Sequence, residues 1–244
     1  MARAAGKRSS NVSEKPFQVI EKNYAYRVRI ELEDYLFFSS MEKGKVAETA
    51  PLIHNYALAY AMAWANSFYY HEAQAPAYQR ELHPLNAQGN YVYPAVPVHV
   101  THRVMQYNTT DESLLMTRAQ SMGIPNWGFI KCIRPGSVFE TFVLTQEPVL
   151  LPSRIRLGKW MSQATLKVEE VSLTKAKRRH CPHMVNIRDL SRLPYYFSAM
   201  YNVLPTRLIQ GAEWEEDIDG YQVYDLAGDR KETIFLPEAA FWRG

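Results

Sequence analysis

Cysteine is scarce. Cys132 and Cys181 are the only two in 244 residues and lie far apart, which excludes a disulfide framework and a four-cysteine zinc module. Such a chain is expected in a reducing compartment, and we read it as cytoplasmic. Also missing are G-x-x-x-x-G-K-S/T, G-x-G-x-x-G, H-E-x-x-H and G-x-S-x-G, which removes the usual support for P-loop, dinucleotide, zinc-protease and α/β-hydrolase chemistry. No carboxylate cluster of the Mg²⁺-holding kind is present. A membrane span is missing as well. Thr49 to His71 carries no Lys, Arg, Asp or Glu over 23 residues, but Pro51, His54, Asn55, Asn66 and Ser67 interrupt it, and Ala and Tyr predominate. It reads as a helix packed within the protein. The first residues hold Arg3, Lys7 and Arg8 without the apolar run of a secretory leader, so residues 1–16 are expected to be a flexible basic tail.

What is present fits one folded domain over residues 17–244, with insertions at 67–97 and 108–128. Hydrophobic residues make up 47% and charged residues 22%, enough to bury a core and stay soluble. Aromatics reach 13%, including 16 Tyr, and such rings serve equally as core filler or as platforms for nucleobases. The net charge of +3 conceals an uneven distribution. Residues 1–149 carry +1, residues 150–195 carry +7 and residues 196–244 carry −5. Clustered cations are the footprint of phosphate binding, although a solvated charged face has the same composition. The acidic run Glu213, Glu215, Glu216, Asp217, Asp219 repels nucleic acid, and either docks a basic partner or decorates a turn.

Strict alternation from Tyr26 places Tyr26, Val28, Ile30 and Leu32 on one face of a strand and Arg27, Arg29, Glu31 and Glu33 on the other. Thr49 is expected to cap a helix that has Pro51 just inside its start and runs to about Asn66. Short strands are expected at Tyr91–Tyr93 and at Val98–Tyr107, the second pointing Val98, Val100, His102 and Val104 in regular succession. Phe129–Thr145 reads as a hairpin about the turn R-P-G-S. Arg154–Leu173 reads as a strand pair around Gly158, interrupted by T-K-A-K-R-R-H-C-P-H. Leu190–Leu204 shows apolar residues at helical spacing. The tail gives a strand at Thr206–Trp214 and a hairpin of Tyr221–Leu226 with Glu232–Leu236. Strands outnumber helices and turns recur, which predicts an α+β fold with an antiparallel sheet and helices on one face.

Three stretches bear on chemistry. H-C-P-H at His180–His183 offers three metal-ligand types, but no second half-site exists to complete a tetrahedral zinc, and no metal is expected. His180, His183 and Tyr195 are the residues to use if the chain cleaves RNA by general acid–base chemistry, since imidazole and phenol suit attack by a 2′-hydroxyl. R-I-R-L-G-K-W-M at Arg154–Met161 places cations on one side of a strand. Gly158 allows close backbone approach, and Trp160 either stacks a base or anchors the core.

The runs Y-R-V-R-I-E-L-E-D-Y-L-F-F, E-T-A-P-L-I-H-N-Y-A-L-A-Y-A, P-L-N-A-Q-G-N-Y-V-Y-P-A and R-I-R-L-G-K-W-M-S-Q-A resemble the Csc-one (Cas-five-like) RAMP subunit of type I-D CRISPR interference complexes. The likeness covers Tyr24 to Leu173 and, more loosely, the rest. It implies a ferredoxin-like (RRM-like) core elaborated by long insertions, including a thumb. It also implies a non-catalytic RNA-binding subunit that holds the 5′ handle of the crRNA and caps the backbone filament of the Cascade surveillance complex in antiviral defence. The implied partners are the crRNA, the neighbouring backbone RAMP subunit, the large subunit and the target DNA held by the complex. No cofactor, membrane or homo-oligomer is implied. Some relatives in another subtype cut precursor RNA, so a metal-independent endoribonuclease acting on repeat RNA is the alternative, although their catalytic residues find no match here.

For a single-stranded handle, phosphates call for Arg and Lys and splayed bases call for rings. The expected grip is Arg154, Arg156, Lys159, Trp160, Lys175, Lys177, Arg178 and Arg179. His54 and Asn55, near the start of the first helix, either add contacts there or form a satisfied buried pair. Residues 108–127 are the thumb candidate, with Met122 or Trp127 as its wedge, and residues 73–97 are the rival.

Overall fold

Alternation of apolar and charged side chains produces the first strand where the sequence predicts it. In β1 (Tyr24–Leu32), Tyr26, Val28, Ile30 and Leu32 are buried, Arg29 is exposed, and Arg27 pairs with Glu140 at 2.8 Å. The structure is a computed structural model and describes residues 20–43, 45–65, 76–109, 126–224, 233–238 and 242. After β1 come β2 (Met41–Lys43), β3 (Val46–Glu48) and the helices α1 (Asn55–Ala61), α2 (Tyr78–Leu82) and α3 (Leu85–Gln88). Then follow β4 (Tyr91–Val92), β5 (Val96–His99), β6 (His102–Thr109), β7 (Asn126–Ile133), β8 (Val138–Thr145) and β9 (Arg154–Leu157). The chain continues with β10 (Ser162–Asn186), β11 (Tyr196–Tyr201), β12 (Leu208–Tyr224) and β13 (Thr233–Pro237).

The fold is α+β and mostly antiparallel. Nine strands form one sheet in the order β11-β12-β10-β1-β8-β4, with β13 beside β12, β5 beside β8 and β9 beside β10. A second sheet runs β2-β3-β7-β6, and its β3–β7 pair is parallel. The 25-residue β10 ties the large sheet together, because it pairs with β1 along Ala164–Val171 and with β12 along Ser172–Asn186. The main core gathers under these strands, with Trp214, Trp242, Tyr56, Tyr91 and Phe139 among its largest side chains. Among the described residues, no helix is long and apolar enough to cross a membrane.

Several sequence expectations are corrected. Thr49 does not cap the first helix; its hydroxyl exchanges hydrogen bonds with the Phe38 backbone, and α1 begins six residues later with His54 as its cap. The turn at Arg134–Ser137 does not close a hairpin, because β7 joins the small sheet and β8 the large one. H-C-P-H does not interrupt a strand but continues β10, and Leu190–Leu204 contains β11 rather than a helix. Val98–Tyr107 is not one strand, because β5 ends at His99 and β6 begins at His102, with Val98 and Val104 both exposed. The tail pairing of Tyr221 with Leu236 is as expected. Residues 1–16, Met122 and most of the 108–128 insertion lie outside the described residues.

Candidate nucleic-acid interface

The turn between β9 and β10 is built around one glycine. Ile155 and Leu157 are buried, so alternation turns Arg154 and Arg156 outward. Gly158 then takes φ +71°, a left-handed conformation, and a Cβ there would stand 2.6 Å from the Phe37 carbonyl oxygen. That close approach docks the turn: the Lys159 N–H donates to the Phe37 carbonyl at 2.9 Å, and Ser162 Oγ donates to the Tyr35 carbonyl at 2.6 Å. Trp160 stands 5.1 Å from the Phe37 ring and remains 42% exposed, so it leans on the core while keeping surface for a ligand. The Arg156 guanidinium donates to the Met161 carbonyl at 3.0 Å. Among the described residues neither Arg156 nor Lys159 is paired with a carboxylate, whereas Arg154 lies 3.8 Å from Glu33.

The small sheet and the segment leading to it add two residues that sequence reasoning missed. Arg103, on β6, donates to the Tyr35 hydroxyl at 2.8 Å, with its guanidinium 5.6 Å from the ring centroid. The segment that joins the two sheets therefore carries Arg103 on Tyr35 and, two residues on, the docked turn with Trp160 against Phe37. No local signal could reveal this, because Arg103 and Tyr35 are 68 residues apart.

The remaining cations are arranged differently. In the β10–β12 ladder Lys177 faces Asp219, Arg178 faces Ile218 and His180 faces Glu213. Lys177 pairs with Asp219 at 3.0 Å, Arg179 with Asp217 at 3.1 Å, Arg192 with Glu216 at 2.9 Å and Lys175 with Glu21 at 2.8 Å. Arg178 is exposed and unpaired among the described residues. The acidic run is thus part of the strand beside the basic one, which removes the turn-decoration alternative. Lys175 and Lys177 border a depression of about 370 Å³ with Asp219, Tyr221 and Glu238. Beside it, burial holds the Lys22 ammonium down to about 8.

His54 and Asn55 do not reach the surface, so neither is available to RNA here. His54 Nδ1 accepts from the Tyr56 N–H, and its Nε2 lies 3.1 Å from the Thr206 carbonyl and 3.0 Å from the Thr206 hydroxyl. The Asn55 amide donates to Asp189 at 2.9 Å and to Tyr91 at 3.2 Å, and its oxygen accepts from Asn186. Asp189 also accepts from Tyr56 at 2.8 Å and Tyr91 at 2.9 Å, which satisfies a fully buried carboxylate.

Strand alternation also divides the H-C-P-H run. His180 and Pro182 face outward, while Cys181 and His183 are buried. His183 Nε2 bonds the Pro94 carbonyl at 3.1 Å, and burial holds its ring down to about 4. The Cys181 thiol is pushed up to about 12 by burial. Tyr195 donates to Glu213 Oε2 at 3.1 Å, a bond that raises its hydroxyl pKa. His180 and Tyr195 therefore flank Glu213, and His183 does not join them. Among the described residues no three His, Cys, Asp or Glu groups converge as metal ligands. Trp127 sits in β7 opposite Asn108, where β6 and β7 form an antiparallel pair at the root of the 108–128 insertion.

Against known proteins, the family model described as type I-D CRISPR-associated protein Cas5/Csc1 matches residues 23–243. The chain belongs to that family. As a Cas5/Csc1 protein it is a subunit of a CRISPR effector complex. No curated protein matches the chain. Among solved structures it is similar to a chain of the "Cryo-EM structure of the Type III-B Cmr-beta bound to cognate target RNA and AMPPnP, state 1". The two share 9% identity with a TM-score of 0.43, over 79% of this chain and 86% of that one. A likeness that distant assigns nothing further.

Proposed function

We propose that this Cas5/Csc1 chain holds the 5′ handle of the crRNA in a type I-D Cascade complex, capping the backbone filament without cutting the RNA. The observation that carries this reading is the docked β9–β10 turn. It presents Arg156 and Lys159, free of carboxylate partners among the described residues, beside a half-exposed Trp160. Cations of this kind bind a phosphate backbone by displacing its counterions, and an indole face stacks an unpaired base of any sequence. Arg103 over Tyr35 adds a cation on the segment to which that turn docks.

Its partners are then the crRNA, the adjacent backbone RAMP subunit, the large subunit and the target DNA held by the assembly, with one copy of this chain in the cytoplasm. We read the core as the ferredoxin-like unit of a RAMP protein, in which β1 lies between β8 and β10, and the β6–β7 pair as the root of the thumb. The pairing of His180 and Tyr195 around Glu213 favours a second reading, metal-independent cleavage of repeat RNA.

Two experiments test these readings. Reversing Arg154, Arg156 and Lys159 to Glu is expected to abolish retention of labelled handle RNA on a filter; unchanged retention overturns the RNA grip. Incubating the purified chain with repeat RNA in EDTA is expected to leave it intact. A product that disappears with His180→Ala establishes the nuclease instead.

A further inference from the structure

Among the described residues the large sheet ends at β11, and nothing in that strand protects its edge. β11 pairs with β12 on one side and, among the described residues, with no strand on the other. A free edge is a template for another backbone, and folded proteins blunt such edges with lysine, proline or strong bulging. β11 reads Y-F-S-A-M-Y, with no charge and no proline. Leu193, Tyr195, Tyr196, Met200 and Leu204 surround that edge, exposed by amounts from 40% at Met200 to 73% at Leu204. Single exposed apolar side chains are ordinary, but five within twelve consecutive residues form a patch of the kind that marks an interface.

Exposed rings on a sheet also stack nucleobases, so charge has to choose the occupant. Glu213 lies in register with Tyr196 and accepts the Tyr195 hydroxyl, and Glu215 is exposed and unpaired among the described residues. Glu216 and Asp217 are already taken up by Arg192 and Arg179. Uncompensated carboxylates beside the patch repel a phosphate backbone and attract lysine or arginine on a polypeptide.

We propose that the free edge of β11 receives an extended segment of another protein subunit, which adds to the sheet as a further strand. Its apolar side chains pack on Tyr196 and Met200, and its cations face Glu213 and Glu215. Strand addition supplies affinity through backbone hydrogen bonds and specificity through alternate side chains. The identity of the partner as a complex subunit rests on the reading under Proposed function.

The test uses the full chain, tagged and co-expressed with the other type I-D subunits and a guide RNA. Met200→Glu with Leu204→Glu is expected to recover about 30-fold less of one partner subunit, the loss typical of spoiling a central anchor. Handle-RNA binding by the purified variant is expected to equal that of the parent chain. Glu215→Lys, which leaves every apolar contact in place, is expected to weaken recovery in a way that fades at high salt. Full recovery by both variants overturns the proposal. So does lost RNA binding with the partner retained, which makes this face a nucleic-acid surface. A parent chain that sediments as a dimer and is split by Met200→Glu assigns the edge to a second copy, and also overturns it. Should the parent chain fail to retain handle RNA while the partner is still lost on substitution, the RNA reading falls and this one stands.

Discussion

Lys177 and Asp219 stand directly opposite each other across the β10–β12 ladder, Nζ 3.0 Å from Oδ1. The most basic and most acidic parts of the sequence are therefore neighbouring strands, and their fields partly cancel. Both side chains are about two-thirds exposed, so the pair contributes little to stability. Its consequence is for the potential that β10 presents to RNA. Asp217→Asn with Asp219→Asn is expected to tighten handle-RNA binding several-fold and to steepen the dependence of log K on log salt by about one to two. Melting should change by less than ~1 kcal/mol. Filter binding across a salt series checks this; identical slopes remove Lys177 and Arg179 from the RNA surface.

His54 and His183 set an acid limit on the fold. Burial holds both rings down to about 4, while the unfolded chain keeps the ordinary value near 6.5. Between those values the unfolded state binds protons that the folded state excludes. Stability is therefore fully present above pH 6.5 and falls as pH drops toward 4. Each ring is expected to cost about 2 kcal/mol between pH 7 and pH 5. Urea midpoints at the two pH values measure this, and His183→Phe is expected to halve the difference. A flat profile means that one of the rings is not enclosed.

Asp189 is the acceptor on which a buried network closes. Asp189→Ala leaves the Tyr56 and Tyr91 hydroxyls and the Asn55 amide without this acceptor in the core, and is expected to cost about 3–5 kcal/mol. Tyr56→Phe removes one donor and is expected to cost about 1–3 kcal/mol. Because both act on one carboxylate, the double variant should lose less than the sum. Additive losses in urea titrations are the result that contradicts a shared network.

The legible parts of the fold were those with local causes. Period-two alternation located β1, and a glycine between R-I-R-L and K-W-M located the β9–β10 turn. Beyond that, the chemistry of β10 hid its length: Cys181 and His183 point inward among cations, and Pro182 reads as a break. Pro182 is tolerated because it falls where the register with β12 shifts, between Cys181 and Met184. The turn at Arg134–Ser137 is visible in sequence, but whether its flanking strands pair with each other is a tertiary fact. In Leu190–Leu204 the exposed rings of an edge strand mimic helical spacing. The partners of Asn55 and Arg103 lie 134 and 68 residues away, beyond any local pattern.

The RNA surface stands or falls with Gly158 and Trp160. Gly158→Ala places a methyl group 2.6 Å from the Phe37 carbonyl on a left-handed residue, and the turn must lift off the 35–38 segment to accept it. The expected cost is about 2–4 kcal/mol, with loss of RNA binding because Lys159 and Trp160 move together. Trp160→Ala separates the two effects: it keeps the turn, removes the stacking face and is expected to weaken handle RNA by about 1–3 kcal/mol. Trp160→Phe, which retains a ring against Phe37, is expected to recover part of that loss. Fluorescence titration with handle RNA, alongside thermal melts of each variant, distinguishes these outcomes. If Trp160→Ala binds as tightly as the parent chain while Lys159→Ala does not, the turn contacts phosphates alone and the indole is only a prop for Phe37.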